Sequence, residues 1–314
     1  MAQLIDPRID CVFKALLGAV KNKNLLIHFL NAILSLKRSS KIKSVDILNP
    51  YNEKEFIGDK LSVVDIKAKD ENDKTYQIEI QIQIHDCLAT RMIYNWANIY
   101  QTQMCEGDDY ESLKPVISIW ILGGSLFPKI KKCHLEFQFS DIEEKLVLSD
   151  QGAIHVLQLP KWKKTGKTIS SEKDRWLCFF KEGKKLDYNN PPEYFQTEEM
   201  RQAMKVLKRF TERERDALLY QHRLHQLTKE QTLVNMAKKA KQAFKERDAA
   251  FIALEEKKLA LEEKNLALEE KDLVLEKKDA ALEEKVAALE EKDAALKKQE
   301  KEIKKLKQML KSKK

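Results

Sequence analysis

KLSVVDIKAKDENDKTYQIEIQ, residues 60–81, carries the clearest structural pattern in the chain. Its second half alternates Ile78 and Ile80 with Glu79 and Gln81. In its first half, one set of alternate positions holds Val64, Ile66 and Ala68, and the other holds Leu61, Val63, Asp65, Lys67 and Lys69. A period of two is typical of a β-strand, and the polar run 70–74 between the halves is typical of a turn. The stretch therefore predicts a β-hairpin between residues 57 and 83.

The register of this hairpin would bring two carboxylates together. If Lys69 and Thr75 flank the turn, paired residue numbers add up to 144, so that Asp65 lies opposite Glu79. Residues paired in this way have Cβ atoms about 4.5 to 5.5 Å apart, and like charges there repel each other. A divalent cation would relieve the repulsion, and Mg²⁺ commonly binds one or two carboxylates together with waters and substrate phosphate. Gln81 shares the face of Glu79, where its amide could orient a water or a phosphate oxygen.

Such a metal site would suit the hydrolysis of phosphodiester bonds. A bound divalent cation can lower the pKa of a water and can stabilise negative charge on the phosphate during reaction. The spacing alone also allows a different interpretation, in which Asp65 and Glu79 lie on a solvated hairpin face with Lys67 among the neighbours that neutralise them. On spacing alone, the solvated hairpin face is the favoured interpretation.

The segments around the hairpin predict an α/β fold. Apolar residues at helical spacing predict two helices within 10–36, separated near Gly18 and Asn22, and a further helix over 88–104. Short apolar runs predict strands at 115–122, 135–139 and 154–159. Together these elements predict a mixed sheet flanked by helices.

The positive charge of the chain is concentrated in one segment. The formal net charge is +8, yet residues 1–200 hold 28 Lys or Arg against 28 Asp or Glu, whereas residues 201–247 hold 13 against 5. The range 197–247 predicts two or three helices. A basic helical segment suits binding to phosphate backbones, although Lys-rich helices are also often merely solvated.

A heptad repeat follows the basic segment. From Leu254 to Leu310 a leucine or isoleucine recurs every seven residues. A coiled coil needs a second apolar position four residues after each of them, and that position is mostly polar here: Lys258, Asn265, Asp272, Asp279, Val286, Asp293 and Glu300. The pattern favours weak self-association through this helix. The alternative is a solitary charged helix, supported by pairs such as Lys258 with Glu262.

The remaining composition narrows the class of protein. The five cysteines are widely spaced and form no CxxC pair, which argues against a zinc knuckle or a disulfide framework. The N-terminal MAQLIDPRID has no basic head followed by an apolar run, and no apolar stretch approaches the roughly 20 residues of a membrane helix. We therefore expect a soluble cytoplasmic protein with no membrane partner.

Several motifs occur in an order that resembles a known family. They are the hairpin 60–81, the preceding DCVFKALLG at 10–18, the helix RMIYNWANIY at 91–100, Gly107, Tyr110, and the strand start KPVISI at 114–119. This series resembles the PD-(D/E)XK nuclease family transposases, also called recombination-promoting nucleases. The resemblance extends from about residue 5 to residue 245 and excludes the heptad repeat.

The resemblance implies a restriction-endonuclease-like core that uses Mg²⁺, with Mn²⁺ as a substitute. It places Asp65 and Glu79 as the metal ligands and Gln81 where the family signature has a lysine. Because glutamine carries no charge, it cannot stabilise negative charge as an ammonium group would. Lys67, on the same hairpin face, and Lys14 are candidates by position for supplying the missing cation.

Two other residues have two interpretations each. Asp10 is a candidate catalytic residue contributed by the first helix, but the favoured interpretation is that it caps that helix. Arg91 is a candidate either for contact with a phosphate or for pairing with a carboxylate of the core, and the sequence does not separate the two.

The function predicted from the sequence is a metal-dependent DNA endonuclease linked to recombination or mobile elements in a bacterium. Its predicted parts are a nuclease domain over 1–195, a basic helical region over 196–248, and a heptad-repeat helix over 249–314 that allows homo-oligomers. No helix-turn-helix or zinc-finger pattern is present, so sequence specificity should be low. The alternatives are a catalytically degenerate DNA-binding protein and an interaction protein whose heptad helix is anchored by a nuclease-derived domain.

Overall fold

A six-stranded mixed sheet lies at the centre of the structure, a computed structural model that describes residues 4–49, 64–188 and 190–311, with side chains up to residue 307. Its strands are β1 (Val45–Leu48), β2 (Ile66–Asp70), β3 (Thr75–Gln81), β4 (Val116–Leu122), β5 (His134–Phe137) and β6 (Gly152–Gln158). They are arranged in the order β1-β2-β3-β4-β6-β5. The strands β3, β4 and β6 run parallel, and the other neighbours are antiparallel. The predicted mixed sheet is confirmed.

Helices cover both faces of this sheet. In the described residues the α-helices are α1 (Asp10–Leu17), α2 (Lys23–Leu34), α3 (Leu88–Gln101), α4 (Glu172–Glu182), α5 (Glu198–Glu212) and α6 (Glu214–Lys311). The main hydrophobic core joins α1, α2, α4 and α5 to one face of the sheet, where Ile78 and Ile119 are buried. Helix α3 packs on the other face, against Trp120 and Leu122.

Strand β3 is buried on both faces because it lies inside the sheet. Tyr76, Ile78 and Ile80 face the main core, whereas Gln77 and Glu79 are almost fully buried on the side of α3. Buried parallel strands are usually apolar on both faces, so two polar side chains at this depth need partners within the protein. The buried polar side chains of β3 therefore lie on its side that faces α3.

The chain divides into two compact units, Met1–Lys229 and Glu230–Lys314, and the boundary lies within helix α6. Helix α5 belongs to the first unit and buries Met200, Leu207 and Phe210 in the main core. Helix α6 starts at Glu214 and continues without a break into the heptad repeat. It is not interrupted because no glycine or proline follows Pro192 in the sequence. The division of the chain at residues 195 and 248 stays a prediction.

The heptad leucines of α6 lie at the surface. From Leu254 to Ile303, the residues of this series are 51–65% exposed. None of the helices in the described ranges combines the length and the apolar composition needed to cross a membrane.

Gly152 at the start of β6 allows α3 to pack closely on the sheet. A Cβ atom at this position would lie 2.4 Å from Cζ2 of Trp96. The indole cannot easily move away, because its Nε1 donates a hydrogen bond to the backbone oxygen of Val116 at 2.9 Å and its ring stacks on Tyr100.

We expect Gly152→Ala to lower the free energy of unfolding by about 1 to 3 kcal/mol through overpacking. Urea denaturation would measure the change. Adding Trp96→Phe should cost less in the Gly152→Ala protein than in the wild type, because the smaller ring relieves the same contact. Equal costs of Trp96→Phe in both backgrounds would contradict this account.

Candidate active site

The hairpin has the predicted register. Ile66 pairs with Ile78, and Lys69 pairs with Thr75, so that the paired numbers add up to 144. Strand β2 begins at Ile66, whereas Leu61 and Val63 of the predicted first strand lie outside the described residues. Asp65 is thus the last residue before the ladder of β2 and β3 begins.

Asp65 is fixed at this position by its own side chain. Its Oδ2 accepts a hydrogen bond from the backbone N–H of Ile80 at 3.0 Å. The chain leaves the sheet just before Asp65, and Val64 is buried with Ile99 and Val116 on the side of α3. The sequence-based assignment of Val64 to the face of Ile66 is wrong for this reason, since alternation holds only while the strand stays paired.

Glu79 is the buried member of the carboxylate pair, with only 3% of its surface exposed. Its Oε1 accepts a hydrogen bond from Nε2 of Gln77 at 3.2 Å, and its Oε2 lies 3.8 Å from a terminal nitrogen of Arg91. Burial, and next the negative charge of Asp65, raise the pKa of Glu79 to about 8, although Arg91 and Gln77 act in the opposite direction. Without a metal, Glu79 is therefore largely protonated at neutral pH.

A buried polar chain connects Glu79 to its surroundings. Gln77 also accepts a hydrogen bond through Oε1 from the hydroxyl of Ser118 at 3.1 Å. The hydroxyl oxygen of Ser118 accepts in turn from Nε1 of Trp120 at 2.8 Å. The parallel register of β3 and β4 produces this chain, since it pairs Gln77 with Ser118 and Glu79 with Trp120. The sequence carried a signal for it, namely polar residues at alternate positions of buried strands.

Arg91 of α3 lies beside the carboxylate pair. One terminal nitrogen is 3.4 Å from Oε1 of Gln81, and the guanidinium carbon lies 5.5 Å from the centre of the Trp120 ring. Gln81 donates through its Nε2 to the backbone oxygen of Gln83 at 2.9 Å. Arg91 thus lies beside a core carboxylate, as one of its two interpretations predicts, while 44% of its side chain is exposed. Contact with a phosphate, the other interpretation, stays a prediction.

The other basic candidates occupy different positions. The Nζ of Lys14 in α1 is 3.4 Å from Oδ1 of Asp65, so this lysine reaches the pair from the opposite side of the sheet. Lys67 lies in β2 directly across from Gln77. Its role stays a prediction.

Asp10 does not cap α1. The residue at the cap position is Ile9, and Asp10 is the first residue of the helix itself. Its Oδ1 accepts hydrogen bonds from the backbone N–H of Cys11 at 2.8 Å and from Nε of Arg223 at 2.9 Å. The capping interpretation is wrong, because a cap at Asp10 requires a helix that begins at Cys11, whereas α1 begins at Asp10. The carboxylate of Asp10 instead accepts a hydrogen bond from Arg223 of α6.

The carboxylate pair fits a divalent cation with oxygen ligands. Among the described residues no group of three or more His, Cys, Asp or Glu side chains could hold a metal ion. Asp65 and Glu79 could serve as two acidic ligands, since Mg²⁺ commonly binds few carboxylates and keeps several waters. A cation there would offset the cost of burying two like charges.

Comparison with known proteins identifies the relationship. A family model described as PD-(D/E)XK nuclease family transposase matches residues 7–237, which confirms the resemblance read from the motifs. No curated protein and no solved structure gives a significant match.

If Glu79 is a metal ligand, its raised pKa makes metal binding dependent on pH. Below pH 8 the neutral carboxyl must lose its proton to bind a cation, so the affinity for Mn²⁺ should fall by up to about tenfold per pH unit as the pH decreases, and level off above pH 8. Calorimetric titration in buffers of different protonation enthalpy should show the release of about one proton per ion near pH 6.5.

Two variants control this experiment. Glu79→Gln should abolish proton release, and Asp65→Asn should shift the pH dependence to lower pH because it removes a charge that raises the pKa of Glu79. An affinity that stays constant between about pH 6 and 8.5 would contradict metal binding by a Glu79 carboxylate with a raised pKa.

Proposed function

This chain belongs to the PD-(D/E)XK nuclease family transposases, and from that premise we propose that it is a metal-dependent endonuclease that hydrolyses phosphodiester bonds of DNA. The family is one of nucleases related to transposition or recombination, and its members have a restriction-endonuclease-like fold. The proposal assigns Mg²⁺ as the cofactor, with Mn²⁺ as a substitute. DNA in the cytoplasm of a bacterial cell would be the substrate.

The observation that carries the proposal is the pair Asp65 and Glu79 at the end of the hairpin. One carboxylate is held by the N–H of Ile80 and the other by the amide of Gln77. Both are thereby fixed before any cation binds, and a fixed, desolvated carboxylate pair is an expensive arrangement that a purely structural role would not require.

The reaction needs stabilisation of negative charge on the phosphate oxygens and on the departing ester oxygen. When bound between Asp65 and Glu79, a divalent cation would supply positive charge for the phosphate and lower the pKa of a water. In the hydrolysis, the water oxygen forms a bond to phosphorus, one ester P–O bond breaks, and the departing oxygen gains a proton. Gln81 lies next to Glu79 on the same strand face, where its amide would hold a water or a phosphate oxygen in place.

The remaining parts of the chain would assist binding. The basic segment 201–247 offers positive charge for contacts with the phosphate backbone. The exposed leucines of α6 would allow weak association with a second copy of the chain. Neither segment has a feature that reads bases, so we expect cleavage with little sequence preference.

One observation favours a second candidate function. Gln81 replaces the lysine of the signature, which would be compatible with a degenerate protein that binds DNA without cutting it. Such a protein would bind duplex DNA with a steep dependence on salt and leave it intact in the presence of Mg²⁺ or Mn²⁺.

We expect the purified full chain to nick supercoiled plasmid with Mg²⁺ or Mn²⁺, and EDTA to stop the reaction. Asp65→Asn should lower the rate by at least about 100-fold, because a metal ligand loses its charge. Asp73→Asn is the matched control in the turn of the same hairpin, where the exposed residue has a left-handed φ of 64° that asparagine tolerates.

The outcomes separate the two candidate functions. Nicking by the wild type and by Asp73→Asn, but not by Asp65→Asn, supports the endonuclease. A folded wild type that binds plasmid and does not cut it with either ion would support the degenerate binder.

A further inference from the structure

Gln81 leaves the candidate site without the cation that the family signature places there. We propose that Arg91, from helix α3, supplies this cation and contacts the scissile phosphate, an inference that rests on the proposed endonuclease function. Negative charge on the phosphate oxygens must be stabilised as the attacking water adds and the ester oxygen leaves, and a guanidinium can do this through two parallel N–H donors.

Arg91 lies where the signature lysine would project its charge. One terminal nitrogen is 3.4 Å from Oε1 of Gln81, and another is 3.8 Å from Oε2 of Glu79. Both distances exceed the roughly 2.7–2.9 Å of a strong charge-assisted hydrogen bond. The guanidinium is therefore beside the acidic pair without being locked to it, and its side chain is 44% exposed while that of Glu79 is 3% exposed. Its remaining N–H groups can reach a phosphate from the solvent side.

A ring of contacts keeps Arg91 in this place. Its guanidinium lies over Trp120, whose indole donates to Ser118. Ser118 donates to Gln77, and Gln77 donates to Glu79. Glu79 faces Arg91 and closes the ring. A planar cation over an aromatic ring is a geometry that arginine adopts more readily than lysine.

The two lysines considered from the sequence are less suitable. Lys67 lies across from Gln77, four residues before Gln81 along β3, which corresponds to about 13 Å. Lys14 is near Asp65 at 3.4 Å, so it neutralises the other carboxylate. Arg91 lies within 4 Å of both Glu79 and Gln81.

The contact between Gln81 and Arg91 also explains why position 81 is not a lysine. The amide oxygen of Gln81 faces a guanidinium nitrogen. A lysine there would bring two positive charges within a few ångströms of each other, and like charges at that distance repel. Positions 81 and 91 together thus provide one positive charge, and it comes from helix α3 instead of strand β3.

Exchanging the charge between positions 81 and 91 in the full chain tests whether Arg91 supplies the cation of the site. Arg91→Gln should lower kcat for plasmid nicking by about 100-fold with a smaller change in KM, since the lost contact strengthens in the transition state. Gln81→Lys alone should also lower kcat. The double variant Gln81→Lys with Arg91→Gln returns one cation to the site, and we expect it to recover to within about tenfold of the wild type. Arg91→Lys should be intermediate.

A second readout does not depend on cleavage. In EDTA, the dependence of duplex affinity on salt should become shallower by about one unit of log–log slope in Arg91→Gln, because one phosphate contact is lost. Arg38→Gln, which removes an exposed arginine in the short turn Arg38–Ser40, serves as the matched control for charge. Thermal melting curves would confirm that each variant is folded.

The outcomes distinguish this inference from the proposed function. If the wild type does not cut DNA, the endonuclease proposal fails, and the salt slope still decides whether Arg91 contacts phosphate. If the wild type cuts, the inference is overturned when Arg91→Gln stays within threefold of wild-type kcat or when the double variant is no better than Arg91→Gln. An unchanged salt slope in Arg91→Gln would also count against it. A large loss in Lys14→Gln together with a harmless Arg91→Gln would assign the role to Lys14.

Discussion

Asp65 and Glu79 repel each other when both are ionised, and this repulsion is the constraint that the candidate site has to meet. Backbone pairing of β2 with β3 brings them together, and burial prevents water from weakening the repulsion. Strand β3 contributes a backbone N–H and an amide that donate to the two side chains, and helices α1 and α3 each contribute one nearby cation. Helices α1 and α3 lie on opposite faces of the sheet, so both layers of the fold converge on this one pair.

Much of the central fold followed from local pattern. The hairpin register and the helices α1 to α3 are signalled by periodicity, because each has a clear apolar face. Strand β4 is signalled by an unbroken apolar run, because it is buried on both faces. Strand β1 and helix α4 were not predicted. β1 has only four residues, and α4 mixes charged residues with aromatic ones around its circumference, so that its position depends on contacts with the core. A capping box from Ser171 to Asp174 was the local signal for α4.

The candidate site was predictable only in part. Asp65, Glu79 and Gln81 share a face of one hairpin, which a period of two reveals. The contacts of Arg91 and Lys14 depend on how helices pack against the sheet, and no sequence period specifies that distance. The error over Val64 has the same origin, since the point at which a strand leaves its sheet is decided by long-range packing.

The repeat segment of α6 has its own consequence. Its leucines recur every seven residues with no glycine or proline between them, and consecutive units are nearly alike. Gain or loss of one unit would change the length of the helix by about 10 Å and turn its far end by about 20°. The length of this helix can thus change with the number of repeat units, while the sequence that forms the sheet and its carboxyl pair stays the same.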